Sequence, residues 1–169
     1  GMSARAVVTD VYDQGAAADI LIKEGGKVQK EVQAKFVKSS NKDVENSAAR
    51  SVFDQAGGQK GHWGKYKGMD RLIRKDEHYN AEGSMLDEAK KLAKSRAESG
   101  SIHAEDFKDV HEHLTDELHY GDASSGGTTF EEVQMAYESP EKYAKAFERK
   151  AVKAEQNDLY YPTFVDKLT

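Results

Sequence analysis

Three polar side chains near the amino terminus have types and spacing that could do chemistry together. Asp19 is followed, after thirteen residues, by Gln33 and then by Lys35. Together they offer a carboxylate, a carbonyl oxygen and an ammonium group. Hydrolysis of a phosphodiester needs hard oxygen ligands for Mg²⁺, a polarised water molecule and positive charge beside the phosphate. Whether these side chains serve such chemistry depends on whether the fold brings them together.

The segment that must position them has the pattern of a β-hairpin. Two runs, residues 18–23 and 30–37, are rich in Ile, Val, Leu and Phe, and a Gly-Gly pair at 25–26 suits a tight turn between them. Side chains alternate along a strand, so Gln33 and Lys35 share a polar face opposite an apolar one. The sequence therefore predicts one core face and one face that carries the polar groups.

The pairing register of the hairpin decides whether Asp19 reaches that polar face. Regular pairing around a two-residue loop would set Asp19 opposite Val32, on the face away from Gln33. An odd-length loop or a one-residue bulge between residues 24 and 30 would set Asp19 opposite Gln33, with β-carbons about 5 Å apart. The hypothesis that Asp19, Gln33 and Lys35 act together therefore predicts such a loop or bulge.

In this arrangement the residues resemble the restriction-endonuclease-like PD-(D/E)XK nucleases. Asp19 matches the Asp of that family, and Gln33-Ala34-Lys35 matches its (Glu/Gln)-x-Lys element; the resemblance covers roughly residues 10 to 80. It implies hydrolysis of DNA or RNA, or descent from an enzyme with that activity. Asp19 and Gln33 would bind Mg²⁺ or Mn²⁺, and Lys35 would orient the water and the scissile phosphate. Gln33 stands where a second acidic ligand is common, and Glu31 on the same face can substitute for it.

A different interpretation of the same hairpin stays open. A strand face with Asp, Glu and Lys is also typical of a solvated surface held by cross-strand charge pairs. The chain would then be a non-enzymatic module that binds protein or nucleic acid through Trp63 and Tyr66 on the same scaffold.

A glycine-punctuated segment, residues 59–68 and called here the glycine loop, interleaves basic and aromatic side chains. Basic groups meet phosphates and aromatic rings stack on unpaired bases. We therefore predict nucleic-acid contacts in the loop and the strand after it, at Lys60, Trp63, Lys65, Tyr66, Lys67, Arg71 and Arg74. The alternative is that the two rings pack in the core and the lysines keep the loop solvated.

The remaining patterns predict an α+β fold. A strand near residues 70–74 would join the hairpin, and helical periodicity covers residues 46–56, 84–98, 102–118 and two segments between 129 and 156. We expect a small mixed β-sheet built on the amino-terminal hairpin, flanked by helices, with a mostly helical carboxy-terminal half. Residues 1–80 would form the nuclease-like core and residues 81–169 a helical part packed on it, as one compact unit.

Composition excludes several classes of protein. The chain has 169 residues and no cysteine, so it has no disulfide framework, no thiolate zinc site and no cysteine nucleophile. A net charge of −5 confines any nucleic-acid binding to a local patch. No apolar run approaches a membrane span, so we expect a cytoplasmic protein without a membrane partner. The histidines of residues 103–119 lack the i, i+4 spacing of a helical zinc site and indicate a polar face.

Overall fold

The structure is a computed structural model, and it describes residues 4–8, 18–36, 44–76, 84–124, 126–127, 139 and 159–160. Within these ranges the chain is an α+β protein, as predicted. Its elements in chain order are β1 (Ala4–Val8), β2 (Ile20–Glu24), β3 (Lys27–Ala34), α1 (Val44–Gln55), β4 (Asp70–Leu72), α2 (Met85–Ala97), α3 (Ala104–His113), β5 (Leu114–Thr115), β6 (His119–Tyr120), β7 (Ala123–Ser124) and β8 (Leu159–Tyr160).

The main sheet is mixed and is built on the hairpin. Its order is β5-β4-β3-β2-β1-β8, and each edge strand is two residues long. Strands β1, β2 and β3 pair antiparallel, and α1 then carries the chain over to β4, which lies parallel to β3. The predicted hairpin and the predicted strand near residue 70 are both confirmed. Strands β6 and β7 form a separate small hairpin.

The three helices share one apolar core. Helix α2 begins with a reciprocal capping box, in which the Ser84 side chain accepts from Asp87 N and the Asp87 side chain accepts from Ser84 N. None of the described helices combines the length and apolar character needed to cross a bilayer. The core residues, contributed by all three helices and by the segments that follow α1, β4 and α3, are Ala48, Val52, Ala56, Ile73, Met85, Ala89, Ala93, Phe107, Val110 and Leu114.

The prediction of a helix up to residue 118 is wrong at its carboxy-terminal end. Helix α3 stops at His113, and Leu114 takes an extended conformation. Two residues, Leu114 and Thr115, then pair with β4, and Thr115 O accepts a hydrogen bond of 2.9 Å from Ile73 N. The apolar spacing persists past the helix because Leu114 and Leu118 are buried all the same. The helices predicted between residues 129 and 156 lie outside the described residues.

Candidate functional site

A one-residue bulge in β3 sets the register of the hairpin. The turn is the two-residue type, with Glu24 paired to Lys27 and with positive φ angles of 60° and 78° at the two glycines between them. The pairing then shifts between Lys23↔Val28 and Ile22↔Lys30, so that Gln29 is the extra residue. The predicted bulge between residues 24 and 30 is confirmed.

Beyond the bulge, Asp19 lies beside Gln33. Ile20 pairs with Val32, and the next position in the same register aligns Asp19 with Gln33. Two hydrogen bonds bracket Gln33: Asp19 N donates to Val32 O at 2.9 Å, and Ala34 N donates to Asp19 Oδ2 at 3.1 Å. Asp19 therefore shares a face with Gln33 and Lys35, as the sequence predicted.

That face is covered rather than fully solvated. Gln33 is 4% exposed, and the end of α1 lies against its strand. Gln55 Nε2 donates to Gln33 O at 3.1 Å and to Leu72 O at 3.0 Å, so the last turn of α1 ties β3 to β4. The interpretation of the hairpin as a plain solvated surface does not fit the burial of Gln33. Asp19 and Lys35 are half-buried and keep contact with solvent.

Lys35 is surrounded by aromatic and acidic groups. Its Nζ lies 5.6 Å from the centre of the Tyr66 ring, within the range of a cation–π contact. Burial lowers the pKa of Lys35, and the nearby exposed cations Lys60 and Lys65 lower it further, while Asp19 and Asp54 act in the opposite direction. The result is a partly desolvated amine on which two carboxylates act.

Asp54 is a member of this site that the sequence interpretation missed. It lies one residue before the end of α1 and is 7% exposed. Burial raises its pKa, and Arg50 and Lys35 oppose that rise. One sequence feature could have drawn attention to Asp54. Its neighbour Gln55 is a polar residue three positions after Val52, on the apolar stripe of α1. A polar side chain at a core position calls for a partner, and here the partners belong to β3 and β4.

Tyr66 closes the site from the glycine loop. The residue is 7% exposed, and the Arg71 guanidinium lies 6.0 Å from its ring centre. Burial raises the pKa of Tyr66, followed by the effect of Asp19, while Arg71 lowers it. Tyr66 thus packs inside the protein and is not exposed as a platform for bases.

The two arginines predicted to contact nucleic acid need correction. Arg71 is 2% exposed. Its guanidinium donates hydrogen bonds to Gln55 O at 3.1 Å and to Met69 O at 2.6 Å, and it forms an ion pair with the Asp109 carboxylate at 2.8 Å. Arg74 is fully buried and pairs with Asp76 at 3.2 Å. Arg71 lies on β4 and Arg74 follows that strand by two residues; both side chains are buried and each meets an acidic partner, so neither guanidinium lies at the surface where a phosphate would bind.

Trp63 is partly buried and packs against the apolar core of the helices. Its ring stacks on His103 at a centroid distance of 3.6 Å and meets Phe53 and Phe107 edge-on. The alternative of packing therefore describes this ring, although it contacts the helical layer and not the hairpin. The loop lysines Lys60, Lys65 and Lys67 are exposed, and they are the predicted nucleic-acid contacts that remain at the surface.

Two further candidates for metal binding are Glu31 and a group of three side chains on α3. Glu31 is exposed and pairs with Leu21, two residues from Gln33 toward the turn, and its role as a substitute ligand stays a prediction. Among the described residues, one group of three ligand-type side chains has its atoms within 4.8 Å, namely Asp109, Glu112 and His113. The Asp109 carboxylate already binds Arg71 and accepts from Gly68 N at 3.0 Å, so structural contacts explain this group.

The chain matches no protein-family model, no curated protein and no solved structure. Its function is therefore inferred from the chemistry of the site described above.

Proposed function

We propose that this protein is a metal-dependent phosphodiesterase that acts on nucleic acid, with its site at Asp19, Gln33 and Lys35. The observation that supports the proposal is the bulge at Gln29. Because of the bulge, the register aligns Asp19 with Gln33 and brings all three side chains to one face. A regular hairpin with the same turn would carry Asp19 to the other face.

The oxygen donors of this face suit a hard divalent cation. A carboxylate at Asp19 and an amide oxygen at Gln33 are the ligand types that Mg²⁺ and Mn²⁺ accept. A divalent cation held there would polarise a phosphate oxygen and acidify an attacking water molecule. Asp19 and Lys35 are both half-buried, so solvent reaches this face of the sheet.

Lys35 would orient the water and the scissile phosphate. Its lowered pKa favours exchange of a proton near neutral pH more than an ordinary lysine allows. The Tyr66 ring centre lies 5.6 Å from the Lys35 amine, within the range of a cation–π contact. This contact would favour positions of the amine near the ring.

The exposed lysines of the glycine loop would hold the substrate backbone. Lys60 and Lys65 lie close enough to Lys35 to lower its pKa. Positive charge beside the site would attract the phosphates of DNA or RNA despite the net charge of −5. The alternative of a non-enzymatic module used Trp63 and Tyr66 as its contacts. Tyr66 is buried and Trp63 packs against Phe53, His103 and Phe107, which makes that alternative less favourable.

Cleavage assays test the proposal directly. Labelled single-stranded and duplex DNA and RNA would be incubated with the protein and Mg²⁺ or Mn²⁺. We expect cleavage that chelation stops, and we expect Asp19→Asn and Lys35→Met each to lower the rate by about 100-fold or more.

The matched control is Asp122→Asn, which changes an exposed carboxylate in the turn between β6 and β7. This variant should cleave at the wild-type rate. Absence of cleavage by the wild type with every substrate, or equal cleavage by Asp19→Asn, would refute the proposal.

A further inference from the structure

The last turn of α1 is fastened to the strand that carries Gln33 and Lys35. The amide of Gln55 donates to Gln33 O at 3.1 Å and to Leu72 O at 3.0 Å. Lys35 N donates to that same Leu72 O at 3.0 Å. Asp54 therefore directly precedes a residue whose side chain contacts the strand of the candidate site.

Asp54 brings a buried carboxylate to this place. Its ion pair with Arg50 is 3.6 Å long, and the Arg50 side chain is 59% exposed, so this pair is a weak one. The charge of Asp54 acts on Lys35 and on Tyr66, the same two groups on which the charge of Asp19 acts. Two carboxylates from segments distant in sequence thus act on the same amine and the same phenol.

Gln55 gives an independent sign that a ligand belongs here. The residue is fully buried, and its Oε1 atom accepts no hydrogen bond from the described residues. Because Nε2 of the same amide is bonded to Gln33 O, this oxygen lies at the junction of α1 and β3. A buried carbonyl oxygen without a donor is costly, and a hydrated cation would supply the missing donor or positive charge.

We propose that Asp54 is the second acidic ligand of the divalent cation, in place of the carboxylate that Gln33 does not provide. This inference rests on the proposed function of the Asp19 site. A site with two carboxylates attracts a divalent cation more strongly than one carboxylate and a neutral amide do. A glutamine at position 33 is then compatible with metal binding, because Asp54 on α1 supplies the negative charge that Gln33 lacks.

A titration with Mn²⁺ tests the role of Asp54 without any assay of activity. The electron paramagnetic resonance signal of the free ion monitors the binding. We expect Asp19→Asn and Asp54→Asn each to weaken Mn²⁺ binding by about tenfold or more. Asp122→Asn should leave the affinity unchanged. Asp54→Ser, which also removes the carboxylate, gives the same comparison if Asp54→Asn does not fold.

Two further variants separate a ligand from a structural partner. Gln33→Glu in the Asp54→Asn background returns a carboxylate to the same junction, and it should recover most of the lost affinity. Arg50→Gln removes the ion-pair partner of Asp54 but keeps the carboxylate, and it should bind Mn²⁺ at least as tightly as the wild type. If Asp54 mattered only as a partner of Arg50, Arg50→Gln would weaken binding and Gln33→Glu would give no recovery.

The outcomes distinguish the two proposals. Loss of affinity in Asp19→Asn with full affinity in Asp54→Asn would overturn the role of Asp54 and leave the proposed function standing. Absence of Mn²⁺ binding by the wild type would overturn the proposed function and this inference with it.

Discussion

Asp54 is a buried carboxylate, and its burial lowers the stability of the fold. Its pKa is raised above 3.8, mainly by desolvation, with Arg50 and Lys35 offsetting part of that effect. The folded state therefore holds the proton more tightly than the unfolded state does, and stability is lost as the pH rises through the folded-state pKa. We expect Asp54→Asn to raise the free energy of unfolding near pH 7 by about 1 kcal/mol.

The gain should disappear in acid. Below 3.8 the carboxyl group is protonated in both states, so wild type and variant should then differ little. Urea unfolding at about pH 7 and about pH 3 measures the two differences. Asp122→Asn, an exposed change, should shift stability by less than about 0.5 kcal/mol at both. A gain of equal size at the two pH values would mean that the charge is not its cause.

Arg71 and Asp109 form a buried ion pair that joins three elements. Arg71 lies on β4 and bonds the end of α1, and Asp109 lies on α3 and accepts from Gly68 N in the glycine loop. Removal of one partner from a buried pair leaves the other charge uncompensated. We expect Asp109→Asn to lower the free energy of unfolding by about 3 kcal/mol, measured by urea denaturation.

Glu112→Gln is the control for that prediction, because Glu112 is exposed on the same helix. Its effect should stay below about 0.5 kcal/mol. Equal losses in the two variants would show that the group formed by Asp109, Glu112 and His113, and not the pair with Arg71, stabilises this region.

At the scale of elements, core packing favours the observed hairpin register, and the bulge lets the wild-type chain reach that register from a two-residue turn. Ile20, Ile22 and Val32 are fully buried, and any slip by one residue would move them to the other face. Deletion of Gln29 removes the one unpaired residue and leaves Ile22 paired with Lys30. We therefore expect this deletion to keep the register beyond the bulge and to keep Asp19 beside Gln33.

Cross-strand nuclear Overhauser effects between Ile20 and Val32 measure that register in both proteins. They should be present in the wild type and in the deletion variant, and Asp19 should keep its contact with Ala34 N. Contacts of Val32 with Asp19 in place of Ile20 would contradict the prediction.

The whole molecule is acidic, yet its exposed lysines on the glycine loop lie beside the candidate site. Nucleic-acid binding through them should weaken as salt rises, with a slope set by a handful of phosphate contacts. We expect the double charge reversal Lys60→Glu, Lys65→Glu to weaken binding of labelled single-stranded DNA or RNA by about tenfold or more and to reduce the salt slope by about two.

Lys91→Glu, an exposed change on α2, serves as the control and should have a small effect. Fluorescence anisotropy across a series of salt concentrations gives both quantities. An equal loss of affinity in Lys91→Glu would show that net charge, and not the position of the lysines on the glycine loop, causes the weaker binding.

The fold also joins the two parts of the chain that the sequence separates near residue 80. Helix α1 shares a core with α2 and α3, and β5 pairs with β4. The division into residues 1–80 and 81–169 as one compact unit stays a prediction.

By itself the sequence determined the features that depend on neighbours along the chain. Alternation in residues 30–36 and the two glycines specified the hairpin, and helical periodicity from residue 84 specified α2, whose capping box is formed by Ser84 and Asp87. Local spacing encodes these features because side-chain alternation, turn geometry and helix capping each act over a few residues.

Only the tertiary structure decided which polar groups are buried and what they meet. It covered Gln33 with the end of α1, added Asp54 to the site, turned Arg71 inward to Asp109 and ended α3 where Leu114 pairs with β4. The physical reason is that burial depends on elements distant in sequence. A buried charge or an extended backbone is stable only where a distant partner supplies the hydrogen bonds that water no longer provides.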